Sequence, residues 1–441
     1  MKVKLIAIAK NEGAYLAEWV HHHLYFGFSS VEIILNQCTD NSREIMEFLS
    51  KEDPRVSFWS GDPLKSWCDQ NGTHIQREAY KAAFLRSSAD QDYIMFLDLD
   101  EFWMPSDFKT SISDFLQSLP VADSVSFAWH TDLPEREPTF SLAVKGQMRL
   151  KKDRLVKSIL STRKTPKTID IHNSVIVDGV YLLSDGHVFE NKHADCNHYA
   201  VIPPFINDEP VVADGFYILH RIYRSEIEYL ASLLRGNPDM DNPRVLKENR
   251  WGYILPNHGR FLVSEKLPGD RFEQYSNSLG GFLTRSTLSS LIDHARSLLL
   301  ERCESVINHI TSFSPDTFLK LIAGVSLTSM PQSYKSVGVR HCVDHVAIKN
   351  NLVEVLGWAF DESSGKSLRP KLRVNGSQTI VNVERPDVSK THSIASQSTG
   401  FGISIGCESL ELLSAVWLDF YLGDELVASK SIDLTDCRRD Q

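Results

Sequence analysis

Short apolar runs alternate with amphipathic segments through the first hundred residues of the chain. Short runs rich in apolar residues, which predict β-strands, occur at residues 3–9, 31–36, 56–59 and 93–97, and the last of them is apolar throughout. Apolar residues at helical spacing predict helices at residues 14–25, 43–50 and 74–87. Strands that alternate with helices indicate a parallel sheet, in which ligands bind at the carboxyl ends of the strands.

The rest of the chain changes character twice. Apolar strands are predicted at residues 124–129 and 216–219, and residues 226–335 combine leucines at helical spacing with loops. Residues 338–437 read as short alternating strands with a hairpin signal at Asn375-Gly376, which indicates a β-sandwich. We therefore expect an α/β domain over residues 1–225, a helical and loop extension over 226–335, and a β-sandwich over 338–437.

Composition narrows the class of protein. The chain has 441 residues, of which 42% are hydrophobic and 24% charged, and this predicts a folded, soluble protein of two or three domains. The net charge of −10 argues against a general nucleic-acid binder. The seven cysteines form no C-x-x-C pair, which fits a reduced compartment, and no run approaches the roughly 18 apolar residues of a membrane span. We expect a cytoplasmic protein.

The apolar run at residues 93–97 ends abruptly in Asp98-Leu99-Asp100-Glu101. If the strand continues, Asp98 and Asp100 point to one side of the sheet and Leu99 to the other. Two carboxylates aimed at one point repel each other unless a cation lies between them, and oxygen ligands favour Mg²⁺ or Mn²⁺. A chelated cation in turn suggests a phosphate group. The alternative is an ordinary strand end whose acids are solvated.

Polar turns follow two further strands and are expected at the same edge of the sheet. Their side chains give directional hydrogen bonds, and the candidates for contact with a nucleotide are Lys10, Asn11, Glu12, Asn36 and Asp40. The alternative for Asn11 is a helix cap. Gln76 and Arg77 begin the helix before the acidic segment, where each either faces the nucleotide or lies at the surface.

Several of these segments together resemble a known family. The segments are Ile6-Ala7-Ile8-Ala9-Lys10-Asn11-Glu12, Glu18-Trp19-Val20 with His23, Phe26-Gly27-Phe28, Cys38-Thr39-Asp40-Asn41-Ser42, and Phe96-Leu97-Asp98-Leu99-Asp100-Glu101-Phe102. They resemble the family-2-type glycosyltransferases, and most of all the bacterial branch related to glycosyltransferase family 92. His220-Arg221-Ile222-Tyr223-Arg224-Ser225 resembles a later segment of that branch, although Arg221 and Ile222 stand where an aromatic residue usually follows the histidine.

The resemblance implies a fold, a donor and a metal. The fold is GT-A, an α/β domain with a Rossmann-like mixed sheet, the donor is a nucleoside-diphosphate sugar with UDP favoured, and the metal is Mn²⁺ or Mg²⁺. Asp100 is then a direct metal ligand, and Asp98 binds the ribose or the metal. His220 is our candidate for a further ligand, because a neutral imidazole suits Mn²⁺, and its alternative is an ordinary strand-end position.

Other residues are candidates for the charges and protons of the reaction. Lys157 and Arg224 could counter the charge of the diphosphate or could be solvated cations. An inverting transfer needs a general base near the acceptor hydroxyl. We favour the cluster that follows the predicted strand 124–129, which consists of Asp132, Glu135 and Glu137, over Asp170 and Asp185.

Two aromatic features are expected to be structural. His21-His22-His23 lies on one predicted helix, where neighbouring side chains point about 100° apart and cannot chelate one ion together. Trp358 is expected in the core of the β-sandwich, with glycan binding as the alternative. The surrounding β-domain resembles one appended to many bacterial glycan-building transferases.

The leading hypothesis is a metal-dependent, inverting glycosyltransferase of bacterial surface polysaccharide synthesis. Its acceptor would be a glycan or a lipid-linked glycan, and the latter would allow peripheral contact with the inner face of the membrane. One alternative is a nucleotidyl- or phosphotransferase, although such enzymes more often show a Gly-rich phosphate loop. The other is a non-catalytic carbohydrate-binding or scaffold protein.

Overall fold

The computed structural model divides the chain into two compact units. The described residues are 1–133, 137–189, 215–234, 252–253, 262–310, 321, 325, 339–349, 352–361, 366–372, 378–392, 398–406, 415–422 and 425–434. The first unit spans Met1–Phe318 and the second Leu319–Gln441. Within the described residues, no helix is long and apolar enough to cross a membrane.

The first unit begins with strands and helices in alternation. The strands are β1 (Val3–Ala9), β2 (Ser30–Leu35), β3 (Val56–Ser60) and β4 (Tyr93–Phe96), and the helices are α1 (Gly13–Tyr25), α2 (Ser42–Glu52), α3 (Asp62–Asn71) and α4 (Ile75–Ser87). The four strands are parallel in the order β3-β2-β1-β4. Every strand and helix predicted before residue 97 is confirmed, and α3 was not predicted.

The remainder of the first unit extends this sheet. Its strands are β5 (Glu101–Pro105), β6 (Ser124–Asp132), β7 (Gln147–Ser161), β8 (Tyr181–Leu183), β9 (Phe216–His220) and β10 (Leu262–Lys266), and its helices are α5 (Ile112–Ser118), α6 (Glu226–Leu233), α7 (Gly269–Leu283) and α8 (Ser286–Ile310). β7 pairs antiparallel with β4, and the order continues β7-β6-β9-β5. The sheet is therefore mixed, as the resemblance implies. The wholly parallel sheet predicted from the alternation of elements is wrong, because β1 to β4 and the pairs β6–β8 and β6–β9 are parallel but β4–β7, β6–β7, β7–β10 and β5–β9 are antiparallel.

The acidic segment is a turn and not a strand. β4 ends at Phe96 and β5 begins at Glu101, whose N–H donates to the Asp98 carbonyl at 3.0 Å. The Glu101 carboxylate accepts a second hydrogen bond, from the Asp98 N–H at 2.9 Å. These local bonds compete with continuation of the strand. The prediction that strand alternation points Asp98 and Asp100 to one side of the sheet is therefore wrong.

The core of the first unit includes two histidines of α1. His22 Nε2 lies 2.9 Å from the Trp103 carbonyl oxygen, and His23 Nδ1 lies 2.8 Å from the Trp19 carbonyl oxygen. Burial lowers the pKa of His22 to about 3, so its ring is neutral at ordinary pH. The structural role predicted for this histidine run is confirmed at both positions.

The second unit is a β-sandwich. Its strands are β11 (Val339–Lys349), β12 (Leu352–Asp361), β13 (Arg369–Leu372), β14 (Gln378–Val383), β15 (Gly400–Gly406), β16 (Ala415–Leu422) and β17 (Glu425–Asp433), with a short helix α9 (Pro386–His392). The antiparallel sheets β11-β12-β15-β14 and β13-β16-β17 share one core. The predicted hairpin signal Asn375-Gly376 lies outside the described residues.

The position predicted for Trp358 is wrong. Val355 and Ala359 of β12 point into the core of the sandwich, and side chains alternate along a strand, so Trp358 leaves the sheet on the other face. Its ring is half-buried against Phe360 and His392, with centroids 5.9 and 5.4 Å away.

Candidate active site

Two strained turns meet at the carboxyl ends of β1 and β2. Asn11 follows β1 with φ 56°, and Gln37 follows β2 with φ 48°, both in the left-handed region that disfavours a Cβ. The side-chain oxygen of Asn11 accepts hydrogen bonds from the backbone N–H groups of Thr39 and Asp40, at 2.6 and 3.2 Å. These bonds hold the strained conformation and join the two turns.

The other predicted nucleotide contacts of these turns lie in the same place. Lys10 donates to the Gln37 side-chain oxygen at 3.1 Å. The Asp40 carboxylate accepts the N–H groups of Gly13 and Ser42, each at 3.0 Å, and so ties the start of α1 to the start of α2. The structure therefore brings the two predicted polar turns together at one edge of the sheet.

Asn36 has an unusual environment at this edge. Its side chain is completely buried, and among the described residues neither its oxygen nor its nitrogen has a hydrogen-bond partner. An amide without partners in the interior costs about 1–3 kcal/mol. The amide therefore lowers the stability of the ligand-free protein. A buried polar group without partners is typical of a position at which a ligand supplies the missing hydrogen bonds.

The acidic turn, defined as Asp98, Leu99, Asp100 and Glu101, is held from behind by α1 and the segment after β9. The indole N–H of Trp19 lies 3.1 Å from the Asp98 carbonyl oxygen and 2.8 Å from that of Glu101. The backbone N–H of Arg221 donates to the Asp100 carbonyl at 2.7 Å. The backbone of the turn is therefore fixed before any ligand binds.

The side chain of Asp98 is bonded at both oxygens. Lys157 Nζ lies 2.9 Å from Oδ2 of Asp98 and 3.1 Å from Oε2 of Glu101, while Gln76 donates to Oδ1 of Asp98 at 2.9 Å. Burial raises the pKa of Glu101, whereas the neighbouring Lys157 ammonium lowers it and favours the carboxylate. Burial alone would lower the pKa of Lys157, but Asp98 and Glu101 outweigh it and raise that pKa above its ordinary value.

Asp100 and His220 face each other across the sheet edge. His220 Nε2 lies 3.9 Å from Asp100 Oδ2, and the ring of Trp129 packs against that of His220 at a tilt of 42°, with centroids 4.2 Å apart. Their side chains are 11% and 8% exposed, so the pair borders solvent without being surrounded by it. β5 and β9 place them, because Glu101 is the register partner of His220.

This pair fits a divalent cation as two ligands of mixed type. Carboxylate and neutral imidazole suit Mn²⁺, and Mg²⁺ is commonly held by one or two carboxylates plus substrate phosphates. Asp98 fits less well, because Lys157 already occupies the position beside its carboxylate. In the part of the chain that the structure describes, no group of three or more His, Cys, Asp or Glu side chains is arranged to hold a metal ion.

Arg224 lies behind the acidic turn rather than in the open. Its guanidinium packs 3.4 Å from the centroid of the Tyr15 ring, lies 3.3 Å from Glu12 Oε2, and donates to the Leu99 carbonyl at 3.2 Å. Its backbone φ is 50°, a third left-handed residue at this edge. The predicted contact of Arg224 with a diphosphate stays a prediction.

Arg77 lies further out. Its side chain is half-exposed and forms an ion pair with Asp170 at 2.9 Å. Of the two residues predicted to begin α4 near a nucleotide, the structure places Gln76 against Asp98 and Arg77 against this carboxylate on the surface.

The base candidates form a buried ion-pair group. Arg221 pairs with both Asp132 and Glu137, and Lys145 lies 3.2 Å from Asp132 Oδ2 and 2.6 Å from Glu137 Oε1. Glu135 lies outside the described residues. The charges of Asp132 and Glu137 are therefore balanced within the group.

The two faces of the sheet separate this group from His220. The register of β6 and β9 pairs Thr131 with His220, and successive residues of a strand point to opposite faces. Asp132 therefore leaves the sheet on the face opposite His220. The assignment of a general base among Asp132, Glu135 and Glu137 stays a prediction.

Sequence reasoning missed the supporting residues Tyr15, Trp19 and Trp129. At the level of sequence, Trp19 counts only as part of the predicted helix and of the family resemblance, and Tyr15 has no assigned role. A tryptophan within the Glu18-Trp19-Val20 segment was the available signal, because a buried indole N–H needs an acceptor. Nothing in the local pattern indicated which acceptor it would find.

The fold and the site define an α/β enzyme class that binds its ligand at the carboxyl ends of parallel strands. Residues 7–203 match the family model described as "Glycosyltransferase family 92". The chain is related to that family and is a glycosyltransferase, as the sequence resemblance implies.

Two further comparisons add no functional assignment. The solved structure titled "Crystal structure of HddC from Yersinia pseudotuberculosis" is 12% identical and covers 42% of this chain and 91% of its own, with a TM-score of 0.25. A TM-score this low carries no argument about this chain. No curated protein matches it.

Proposed function

We propose that this protein is a metal-dependent, inverting glycosyltransferase that uses a nucleoside-diphosphate sugar, with UDP-sugars favoured. The acceptor is a glycan or lipid-linked glycan in bacterial surface polysaccharide synthesis, and the enzyme works in the cytoplasm or at the inner face of the membrane. The observation that carries the proposal is the Asp100–His220 pair at the carboxyl edge of the sheet, beside a turn whose backbone is already fixed.

The charge balance around the acidic turn supports a metal. A departing diphosphate must be neutralised, yet Lys157 is paired with Asp98 and Glu101, and Arg224 with Glu12. When bound at Asp100 and His220, Mn²⁺ or Mg²⁺ supplies the positive charge that stabilises the leaving diphosphate. The protein contributes a rigid, preorganised pair of ligands to this task.

The polar turns after β1 and β2 support recognition of the nucleotide. The amide of Asn36, which has no hydrogen-bond partner among the described residues, offers both a donor and an acceptor, the combination that the edge of a uracil base requires. Asn11 and Asp40 fix the turns around it, so the amide has a defined direction. A bound nucleotide would therefore supply the hydrogen bonds that the buried Asn36 amide lacks among the described residues.

A donor screen by thermal shift, with and without Mn²⁺, tests this proposal. We expect a nucleoside-diphosphate sugar to raise the unfolding temperature more when Mn²⁺ is present. Asp100→Asn should abolish the Mn²⁺-dependent part, whereas the control Asp53→Asn, in an exposed pair with Arg55, should retain it. Failure of every nucleotide sugar to shift the wild-type protein in either condition would contradict the proposal.

A further inference from the structure

The ammonium group of Lys157 occupies the position at which a cation would bridge Asp98 and Glu101. The side chain is completely buried, and its nitrogen lies 2.9 Å from one carboxylate and 3.1 Å from the other. It also lies 5.9 Å from the centroid of the Trp129 ring, whose π face favours a cation. The Lys157 ammonium group therefore already neutralises part of the negative charge of Asp98 and Glu101.

The second oxygen of Asp98 is also engaged. Gln76 donates to it at 2.9 Å, and the same amide nitrogen lies 3.1 Å from the Tyr80 hydroxyl, which fixes the direction of the amide. Tyr80 is itself fully buried and stacks on Phe96, with centroids 4.3 Å apart. The Asp98 carboxylate is thus fixed in one orientation, because Lys157 is buried and the Gln76 amide is itself oriented by Tyr80.

A divalent ion on Asp98 would meet strong repulsion. Oxygen–metal distances of about 2.1 Å would put an ion bound to Oδ2 within about 5 Å of the Lys157 nitrogen. Charges of the same sign at that separation repel strongly in a buried site. Moving Lys157 away would leave its ammonium buried without a partner, which is unfavourable as well.

We propose that Lys157 is a positioning residue that acts as a fixed cation for Asp98 and Glu101, confining the exchangeable metal to Asp100 and His220. The remaining lone pairs of Asp98 are then available to neutral hydroxyl donors rather than to a metal. This inference rests on the proposed function for the identity of the metal. Asp98 and Asp100 then have different roles, a difference that their spacing in the sequence does not predict.

The first experiment compares the two aspartates with Lys157 intact. Mn²⁺ affinity is measured by the loss of the free-ion electron paramagnetic resonance signal, with no nucleotide present. Asp100→Asn should weaken binding by about tenfold or more, whereas Asp98→Asn should change it by no more than about twofold. Equal losses in the two variants would overturn the role assigned to Lys157.

The second experiment removes the fixed cation. Lys157→Met leaves Asp98 and Glu101 facing the vacated position, and we expect the variant to bind one additional Mn²⁺. Adding Asp98→Asn to this variant should remove the extra ion, and Lys157→Arg, which keeps a charge, should not acquire it. A Lys157→Met protein that folds and binds no more Mn²⁺ than wild type would overturn the inference.

Metal dependence and the role of Lys157 are tested by different results. Wild-type protein that binds no Mn²⁺ would contradict metal dependence, while the extra ion of Lys157→Met would still test the position of the fixed cation. If Lys157→Met does not fold, the Mn²⁺ affinities of Asp98→Asn and Asp100→Asn are sufficient to test the role of Lys157. Thermal unfolding of each variant shows which case applies.

Discussion

The indole nitrogen of Trp19 lies 2.8 Å from the carbonyl oxygen of Glu101 and 3.1 Å from that of Asp98, so one side chain of α1 holds both ends of the acidic turn. Trp19 is fully buried, and its direction is set by packing within the core. The geometry of the turn therefore depends on a helix that carries none of the acidic residues.

Trp19→Phe should loosen the acidic turn while keeping an aromatic ring in the core. We expect the free energy of unfolding to fall by about 2–3 kcal/mol, because a buried hydrogen-bond donor and part of the ring are lost. Mn²⁺ affinity should fall as well, since Asp100 would no longer be held in place. Urea unfolding and Mn²⁺ titration measure the two effects.

Trp59→Phe is the matched control for this substitution. Its indole donates to Glu32 at 2.9 Å, on β2 and away from the acidic turn. The control should lose some stability and keep its Mn²⁺ affinity. An unchanged Mn²⁺ affinity in Trp19→Phe would contradict the positioning role of Trp19.

Asn36→Leu should stabilise the free protein and weaken nucleotide binding. The buried amide of Asn36 has no partner in the described part of the chain, so an apolar side chain of similar size removes a penalty of about 1–3 kcal/mol. A bound nucleotide would lose its hydrogen bonds to this amide. Urea unfolding and nucleotide titration should therefore move in opposite directions.

Asn41→Leu provides the comparison for that result. The Asn41 amide nitrogen donates to the Leu291 carbonyl at 2.8 Å, so its removal should destabilise the protein. If Asn36→Leu destabilises the free protein to the same extent, the amide of Asn36 has a structural partner and the interpretation fails.

The alternation of strands and helices could be predicted because it depends on local pattern. Runs such as residues 93–97 have no helical stripe and end at polar residues, so both the existence and the ends of β1, β2 and β4 follow from the sequence. The convergence of Asn11, Asn36 and the acidic turn at one edge also followed, because parallel strands carry their carboxyl ends to the same side.

The environments of the site residues could not be predicted, because they depend on pairings between distant segments. Asp132 is separated by 89 residues from Arg221, its buried partner, and no periodicity relates them. Helix α3 was missed for a different reason. Its Trp67 is 47% exposed, so the helix lacks the continuous apolar stripe on which detection depends.

His22 should make the stability of the protein depend on pH. Its folded-state pKa of about 3 lies below the unfolded value of 6.5, because burial disfavours the charged ring. The unfolded chain therefore binds more protons as pH falls below 6.5, and stability is lost progressively towards pH 3. Between pH 6.5 and pH 5 this one group should cost about 1.6 kcal/mol.

His22→Gln isolates the contribution of this histidine. The variant should be less stable at pH 7, because the hydrogen bonds to Trp103 and Tyr275 change, but its stability should fall less steeply between pH 6.5 and pH 5. Urea unfolding at several pH values gives both slopes. Parallel slopes for the variant and the wild type would show that another group controls the transition.

Arg221→Met should destabilise the protein more than any change to Lys145. Arg221 is almost fully buried and pairs with Asp132 and Glu137, so its loss leaves two interior carboxylates with the partly exposed Lys145 as their remaining cation, at a cost of about 3–5 kcal/mol. Lys145 is 31% exposed, and Lys145→Met should cost about 1 kcal/mol or less because water replaces its charge. Urea unfolding at pH 7 should show this difference. Similar losses in the two variants would mean that the ion-pair group is hydrated, which would leave Asp132 or Glu137 accessible for a role as general base.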